Sequence, residues 1–160
     1  MTWTGTYNHG DIIDMKIIPD VIQEQTIQSL PSTAKAQDAA LLMIERNISA
    51  VLIIDDGELS GIVTERDMCR VFAAENQSAT DVPLKDIMTS SPETIEPDDD
   101  ARDALELTEL RGFRHLPVFE GGHVVGIVSV RDLYSVVKRQ LARAAELSEK
   151  YLFNDRYHVD

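Results

Sequence analysis

Gly61-Ile62-Val63-Thr64-Glu65-Arg66-Asp67 returns 65 residues later as Gly126-Ile127-Val128-Ser129-Val130-Arg131-Asp132. Outward from this pair, Ala36–Met68 aligns without gaps to Ala101–Leu133, and eleven of the 33 pairs are identical. Further upstream, Pro31 matches Pro97 once a one-residue gap is allowed. A self-match at a fixed offset is the mark of a repeated structural unit, here of about 60 residues.

Both copies carry the same succession of patterns. A short apolar piece ends in proline, Thr26–Pro31 and then Thr94–Pro97. A helix follows, opened by Ser32 or Thr33 in the first copy and by an acid among Asp98–Asp100 in the second, all good N-cap types. In the first helix Ala36, Ala39, Ala40, Met43 and Ile44 recur at helical spacing, which predicts one buried face. Ala50–Ile54, matched by Leu116–Phe119, reads as a strand. Asp55-Asp56-Gly57-Glu58 and Glu120-Gly121-Gly122-His123 read as hairpin turns. The strands return through Leu59–Val63 and Val124–Val128. A second helix then starts at the Thr or Ser and runs through Met68, Val71 and Phe72, or through Leu133, Val136 and Val137.

The order is β-α-β-β-α, twice. A unit this small cannot bury its sheet alone, so the expected fold is α/β (α+β), two units packed sheet to sheet with pseudo-two-fold symmetry. The expected boundaries are an N-terminal extension over 1–14, repeats over 15–77 and 82–141, and a helical C-terminal extension over 142–160. Glu75–Val82 reads as a polar, exposed link. Arg139–Tyr151 is rich in helix formers and should prolong the last helix. The first ten residues and the last few read as loose.

Composition bounds the function. Among 160 residues, 28 acids face 15 bases, a net charge of −13. That argues against nonspecific nucleic-acid binding or an anionic membrane surface, both of which need clustered positive charge. The single cysteine, Cys69, excludes an internal disulfide framework and a multi-cysteine zinc site, and on a helix beside Met68 it reads as packing rather than nucleophile. No apolar run is long enough to span a membrane, and the N-terminus does not read as a signal peptide. A cytoplasmic setting is expected. Between Glu93 and Glu109 eight acids meet one base, Arg102. They read as a solvated helix face with acids at its dipole-favoured end, or as a docking surface for a basic partner.

The doubled Gly-Ile-Val-Thr/Ser-x-Arg-Asp motif, Phe113-Arg114-His115-Leu116-Pro117-Val118, Asp86-Ile87-Met88-Thr89 and Ala40-Leu41-Leu42-Met43 together resemble a tandem pair of CBS domains, the Bateman module, over about Met15 to Leu141. Nothing resembling a catalytic domain, channel or transporter accompanies them, as in the stand-alone members. The resemblance implies a regulatory sensor of an adenosyl ligand (AMP, ADP, ATP, NAD or S-adenosylmethionine) held in clefts between the copies, often as a disc-shaped homodimer. It also implies a regulated protein partner, which the sequence does not name.

The residues suit that chemistry. A helix N-terminus offers free N–H groups to a phosphate or ribose oxygen. Thr64 and Ser129 can donate a hydroxyl, and Asp67 and Asp132 can accept both ribose hydroxyls, as acids do at dinucleotide sites. Gly61 and Gly126 are expected to leave room for a ligand pressing close. Arg66 and Arg131 supply cations inside the motifs. Arg114 and His115 stand where the family often places phosphate contacts, whereas the first copy has Ser49-Ala50 there, so two unequal sites are expected. Apolar seats for adenine are Ile27, Ile48 and Val51 in one cleft, and Ile95, Phe113 and Leu116 in the other, with Val51 and Leu116 better suited to the core. The plainer reading is that Thr64-x-x-Asp67 and Ser129-x-x-Asp132 are capping boxes; both can hold at once.

Catalytic signatures are missing. There is no Gly-x-Gly-x-x-Gly, and Gly121 and Gly126 have P-loop spacing but Ile127 where lysine is required. The four histidines lack ligand spacing, and no metal is expected. The sequence therefore reads as a non-enzymatic sensor that binds an adenine nucleotide and dimerises. The alternative is a ligand-independent interaction module docking through its acidic helix.

Overall fold

The described residues of this computed structural model are 14–23, 25–74, 78 and 80–154. The first ten residues, the last few and most of the link 75–82 lie outside them. Four strands form one sheet: β1 (Ser29–Leu30) lies parallel to β2 (Ala50–Asp55), β2 antiparallel to β3 (Glu58–Thr64), and β3 antiparallel to β4 (Thr89–Ser90). In the second repeat β5 (His115–Glu120) pairs antiparallel with β6 (His123–Ser129). The piece expected as its first strand contributes a single parallel bridge, Ile95 to Val118. The helices are α1 (Ala36–Arg46), α2 (Glu65–Ala73), α3 (Ala101–Arg111) and α4 (Val130–Asn154).

The hairpins form where the turn chemistry allows. Asp56 and Gly57 have φ of 51° and 85°, and Gly121 and Gly122 have 58° and 89°. Positive φ at both central residues gives the turn whose twist matches the flanking strands. Both hairpins break register at equivalent points, Ile53/Ile54 and Val118/Phe119.

Alternation along the strands divides the apolar side chains between three cores. Val51, Ile53 and Val63 turn toward Ala36, Ala39 and Met43 of α1 and Met68 and Val71 of α2. Leu116, Val118 and Val128 turn toward Ala101 and Ala104 of α3 and Leu133 of α4. The opposite faces, Ala50, Leu52 and Ile62 with Ile27, Val124 and Ile127, meet in the seam between repeats. This is the sheet-to-sheet packing that units of this size require.

The chain segments before the repeats are crossed. Ile17 and Ile22 belong to the second core, while Val82 and Leu84 belong to the first. The backbone bonds correspond pair by pair. Ala36 N–H donates to Val82 O (2.9 Å) and Ala101 N–H to Met15 O (2.8 Å); Leu84 N–H donates to Ala34 O (2.8 Å) and Ile17 N–H to Asp99 O (3.1 Å). Lys16 then pairs with Asp98 at 2.6 Å. Each repeat thus completes the core of the other.

The crossing explains several departures from the sequence reading. Val82, expected in an exposed link, is buried. Lys35 bridges Pro83 and is held extended, so α1 is capped at Lys35 rather than at Ser32 or Thr33, and Asp38 accepts from the Lys35 N–H at 2.9 Å. Ser32 N–H instead binds Asp55 at 2.9 Å and holds that carboxyl below its usual range. In α3 the expected acid, Asp100, caps by accepting from Arg102 N–H. Ile44 is 79% exposed and Ala40 only half buried, because Ala36, Ala39 and Met43 already fill the face toward the sheet. Phe72 and Cys69 on α2 also face outward.

Candidate functional site

The two motifs build similar corners with different exposure. At the end of β3, Asp67 Oδ2 accepts from Thr64 N–H (2.8 Å) and Thr64 Oγ (2.9 Å), while its Oδ1 takes Arg70 at 3.1 Å. At the end of β6, Asp132 Oδ2 accepts from Ser129 N–H (3.0 Å) and Ser129 Oγ (2.6 Å). Both are capping boxes. Asp67 is buried, but Asp132 is exposed and has no arginine on it. The two acids are therefore unequal: Asp67 is consumed by structure, and Asp132 keeps an oxygen for something else.

The glycines of the motif do not face a ligand. A Cβ at Gly61 would meet Met88 Sδ at 2.6 Å and Thr89 O at 2.9 Å; one at Gly126 would meet Ile22 Cδ1 at 2.7 Å. The space that the sequence reading reserved for a ligand is filled by the crossed segments.

A cavity of about 480 Å³ opens in the seam. Ile27, Ile48, Ala50, Leu52 and Ile127 give it apolar walls, and Asp132, Ser129 and His115 stand at one side. Its neighbour, about 470 Å³, is lined by Thr64, Arg66, Asp67, Arg114 and Arg131. Ser49, His115 and Ser129 line both, so the cavities adjoin. Arg66, Arg114 and Arg131 are exposed, and among the described residues their side chains make neither ion pair nor hydrogen bond.

His115 forms the wall between the cavities. Its Nε2 lies 2.9 Å from Ser49 Oγ, joining the repeats, and its buried Nδ1 has no partner. Burial pushes the imidazole below its ordinary value. Asp132 and Glu65 oppose that shift, while Arg114 and Arg131 add to it.

Ten of the twelve expected site residues therefore line this pair of cavities. Ile95 and Phe113 do not join them. Ile95 is 5% exposed and packs in the second core, pinned by Ile95 N–H to Pro117 O (3.0 Å) and Phe119 N–H to Ile95 O (2.8 Å). Phe113 packs against the same core. Val51 and Leu116 are core, as their strand positions favoured. The sequence reading missed Ser49, Gln25 and Gln28. Ser49 was weighed only as a missing arginine, and Gln25, whose Oε1 accepts from Ile127 N–H at 2.9 Å, carries no local pattern that marks it.

The acidic segment is largely spoken for. Asp98 holds Lys16, Asp99 accepts from Glu96 N–H, Asp100 binds Arg102, and Glu93 approaches Arg111 at 3.9 Å. Among the described residues no cluster of His, Cys, Asp and Glu could hold a metal ion, and no helix is long and apolar enough to cross a membrane.

The CBS domain model matches residues 16–74 and 84–139, both repeats. The chain belongs to the CBS domain family. A 17.7 kDa protein of Acidianus ambivalens is 40% identical over 98 residues, 60% of this chain and 58% of that relative, so the match spans less than two thirds of it. A CBS domain pair solved with 5′-methylthioadenosine and S-adenosyl-L-methionine has a TM-score of 0.70 at 23% identity, over 80% of this chain and 99% of its own. A CBS protein solved with AMP has a TM-score of 0.61 at 24% identity, over 72% and 90%. At these identities the two structures share the fold of this CBS pair.

Proposed function

We propose that this CBS pair is a regulatory module that binds one adenine nucleotide across the two adjoining cavities. By bridging the repeats, the ligand sets the surface offered to a partner protein. The observation that carries this reading is three unpaired guanidiniums, Arg66, Arg114 and Arg131, on a cavity that adjoins an apolar one. In this arrangement adenine lies against Ile27 and Ile48, the ribose hydroxyls meet Asp132, and the phosphates pass His115 toward the arginines. Each cavity falls in the usual range for small-molecule sites, about 300–1,000 Å³. Two CBS structures of the same fold hold adenosyl ligands, which favours this class. The arginines favour AMP, ATP or NAD over an uncharged nucleoside, because a buried anion requires paired cations.

We read the module as a binder rather than an enzyme. Ser49 and His115 have the reach of a nucleophile and its base, but no carboxylate or carbonyl meets the Nδ1 to hold the tautomer that activation requires. Their bond instead ties one repeat to the other. We also read the module as a homodimer. Support comes from large apolar side chains left in water on all four helices, Leu41, Ile44, Phe72, Leu110 and Tyr134 among them.

Titration tests the reading. AMP, ATP or NAD should raise the melting temperature, since a ligand at 100 times its Kd adds about 2.7 kcal/mol. Arg114→Ala should weaken ATP far more than adenosine. A melting temperature unchanged by all three at millimolar levels overturns the proposal.

A further inference from the structure

The body of the protein buries α4 only through its first part. Leu133 and Val136 are core residues, whereas every residue from 141 to 150 is exposed, with Leu141 at 60% and Leu147 at 55%. Ten residues of helix project by about 15 Å. A free segment of that length is marginal in water on its own, and this one carries an apolar stripe with small residues at its middle: Leu141, Ala144, Ala145 and Leu147.

The charges beside the stripe are ordered. Lys138 and Glu149 are eleven residues apart, three turns and about 20°, so they share one flank. Arg143 and Glu146 share the other. None of these four is in an ion pair among the described residues. Position by position the segment is nearly symmetric about Ala144. Leu141 and Leu147 are equidistant from it, and the midpoints of Lys138/Glu149 and Arg143/Glu146 fall within half a residue of it.

We propose that the projecting end of α4 pairs antiparallel with the same segment of a second copy, crossing at Ala144. In that arrangement Leu141 lies level with the second copy's Leu147, while alanine at the crossing lets the backbones approach. Lys138 meets the second copy's Glu149 on one flank, and Arg143 meets its Glu146 on the other. Every contact occurs twice, as a two-fold interface demands. A parallel pair would set each charge against itself.

The test is a charge exchange read by sedimentation velocity over a concentration series, with circular dichroism to show that each variant keeps its helix. Lys138→Glu alone and Glu149→Lys alone each turn two attractions into repulsions and should raise the dimer dissociation constant by about tenfold. The double variant should restore it. Mixing the two single variants should also restore it, because their heterodimer regains both pairs. All of these sites are exposed on the projecting end, so folding is not at stake. A monomer at every concentration, or a dimer that responds equally to the single and double exchanges, overturns the proposal. Nucleotide binding, read separately, is expected to be unchanged, so this pairing can fail without the nucleotide reading failing.

Discussion

Gly61→Ala distinguishes two explanations of the motif's glycine. If it leaves room for a ligand, a methyl group should weaken ligand binding and leave the free protein as stable as before. The structure says otherwise: the methyl would sit 2.6 Å from Met88 Sδ and 2.9 Å from the Thr89 carbonyl oxygen. Met88 can turn away, but Thr89 O is backbone of β4, paired to β3 through Ile62 and Thr89. Relief therefore means moving the strand. Overpacking of this kind costs about 1–3 kcal/mol, and replacing a strand glycine returns about 0.5–1 kcal/mol of backbone entropy, leaving a net loss of about 1–2 kcal/mol. For a chain of this size 1 kcal/mol moves Tm by about 2–4 °C, so Gly61→Ala should melt about 3–6 °C lower. Gly126→Ala is the control. Its methyl meets only the tip of Ile22, at 2.7 Å, with the next atom at 3.6 Å. A rotamer change costs about 0.5–1.5 kcal/mol and the entropy gain offsets it, so Tm should move by less than about 2 °C. Differential scanning calorimetry without ligand measures both. Equal Tm values for Gly61→Ala and the parent, with ligand affinity lost, would refute the crossed-segment account and restore the ligand one.

Three further outcomes follow from the site. Asp132→Ala should reduce nucleotide affinity by about 10–100-fold in calorimetric titration, the worth of hydrogen bonds to a charged group, with a small loss of stability from the exposed cap. Asp67→Ala should do the reverse, losing about 1–3 kcal/mol in denaturant unfolding because the acid is buried with Arg70 and two cap donors, and leaving affinity nearly unchanged. His115 gives a pH signature. Burial lowers its folded-state pKa below 6.5, so below that value the unfolded chain binds the proton more readily. Its contribution is complete above pH 6.5 and is lost as pH falls from there through the folded pKa. His115→Asn should therefore flatten the fall of Tm between about pH 7 and 5.5, and an unchanged slope would place the titration elsewhere.

What was legible in the sequence was local or repeated. The hairpins, the αβ succession, the Asp100 cap and the continuation of α4 all follow from turn residues and periodicity within a few positions. Repetition raised the motif from a cap signal to a family signal, and it placed Arg66, Arg114, His115, Ser129, Arg131 and Asp132 correctly around one cleft. The failures share one cause, contact between residues far apart in the chain. Val82 looked like linker because its neighbours are polar, yet its carbonyl completes the backbone of Ala36. Ser32 and Thr33 are better caps than Lys35 by residue type, but pairing with Pro83 holds Lys35 extended and decides where α1 begins. Ile95 looked available to a ligand because the piece around it is short, whereas the β5 backbone draws it into the second core.

The crossing also bears on how a ligand in the seam could be felt by the whole module. The stretch after Ile22 runs from the second core to the cavity wall at Ile27. Along that path it is fixed to β6 twice, by Ile22 against Gly126 and by Gln25 accepting from Ile127 N–H. β6 ends in Ser129, the start of the corner that carries Asp132. One wall of the cavity and the acid opposite it are therefore joined through a segment whose sequence belongs to the first repeat and whose packing belongs to the second. A ligand that touches both Ile27 and Asp132 closes this path into a loop. Loosening Met15–Ile22 would then cost ligand affinity, and bound ligand would hold that segment in place, because coupling between two equilibria runs equally in both directions.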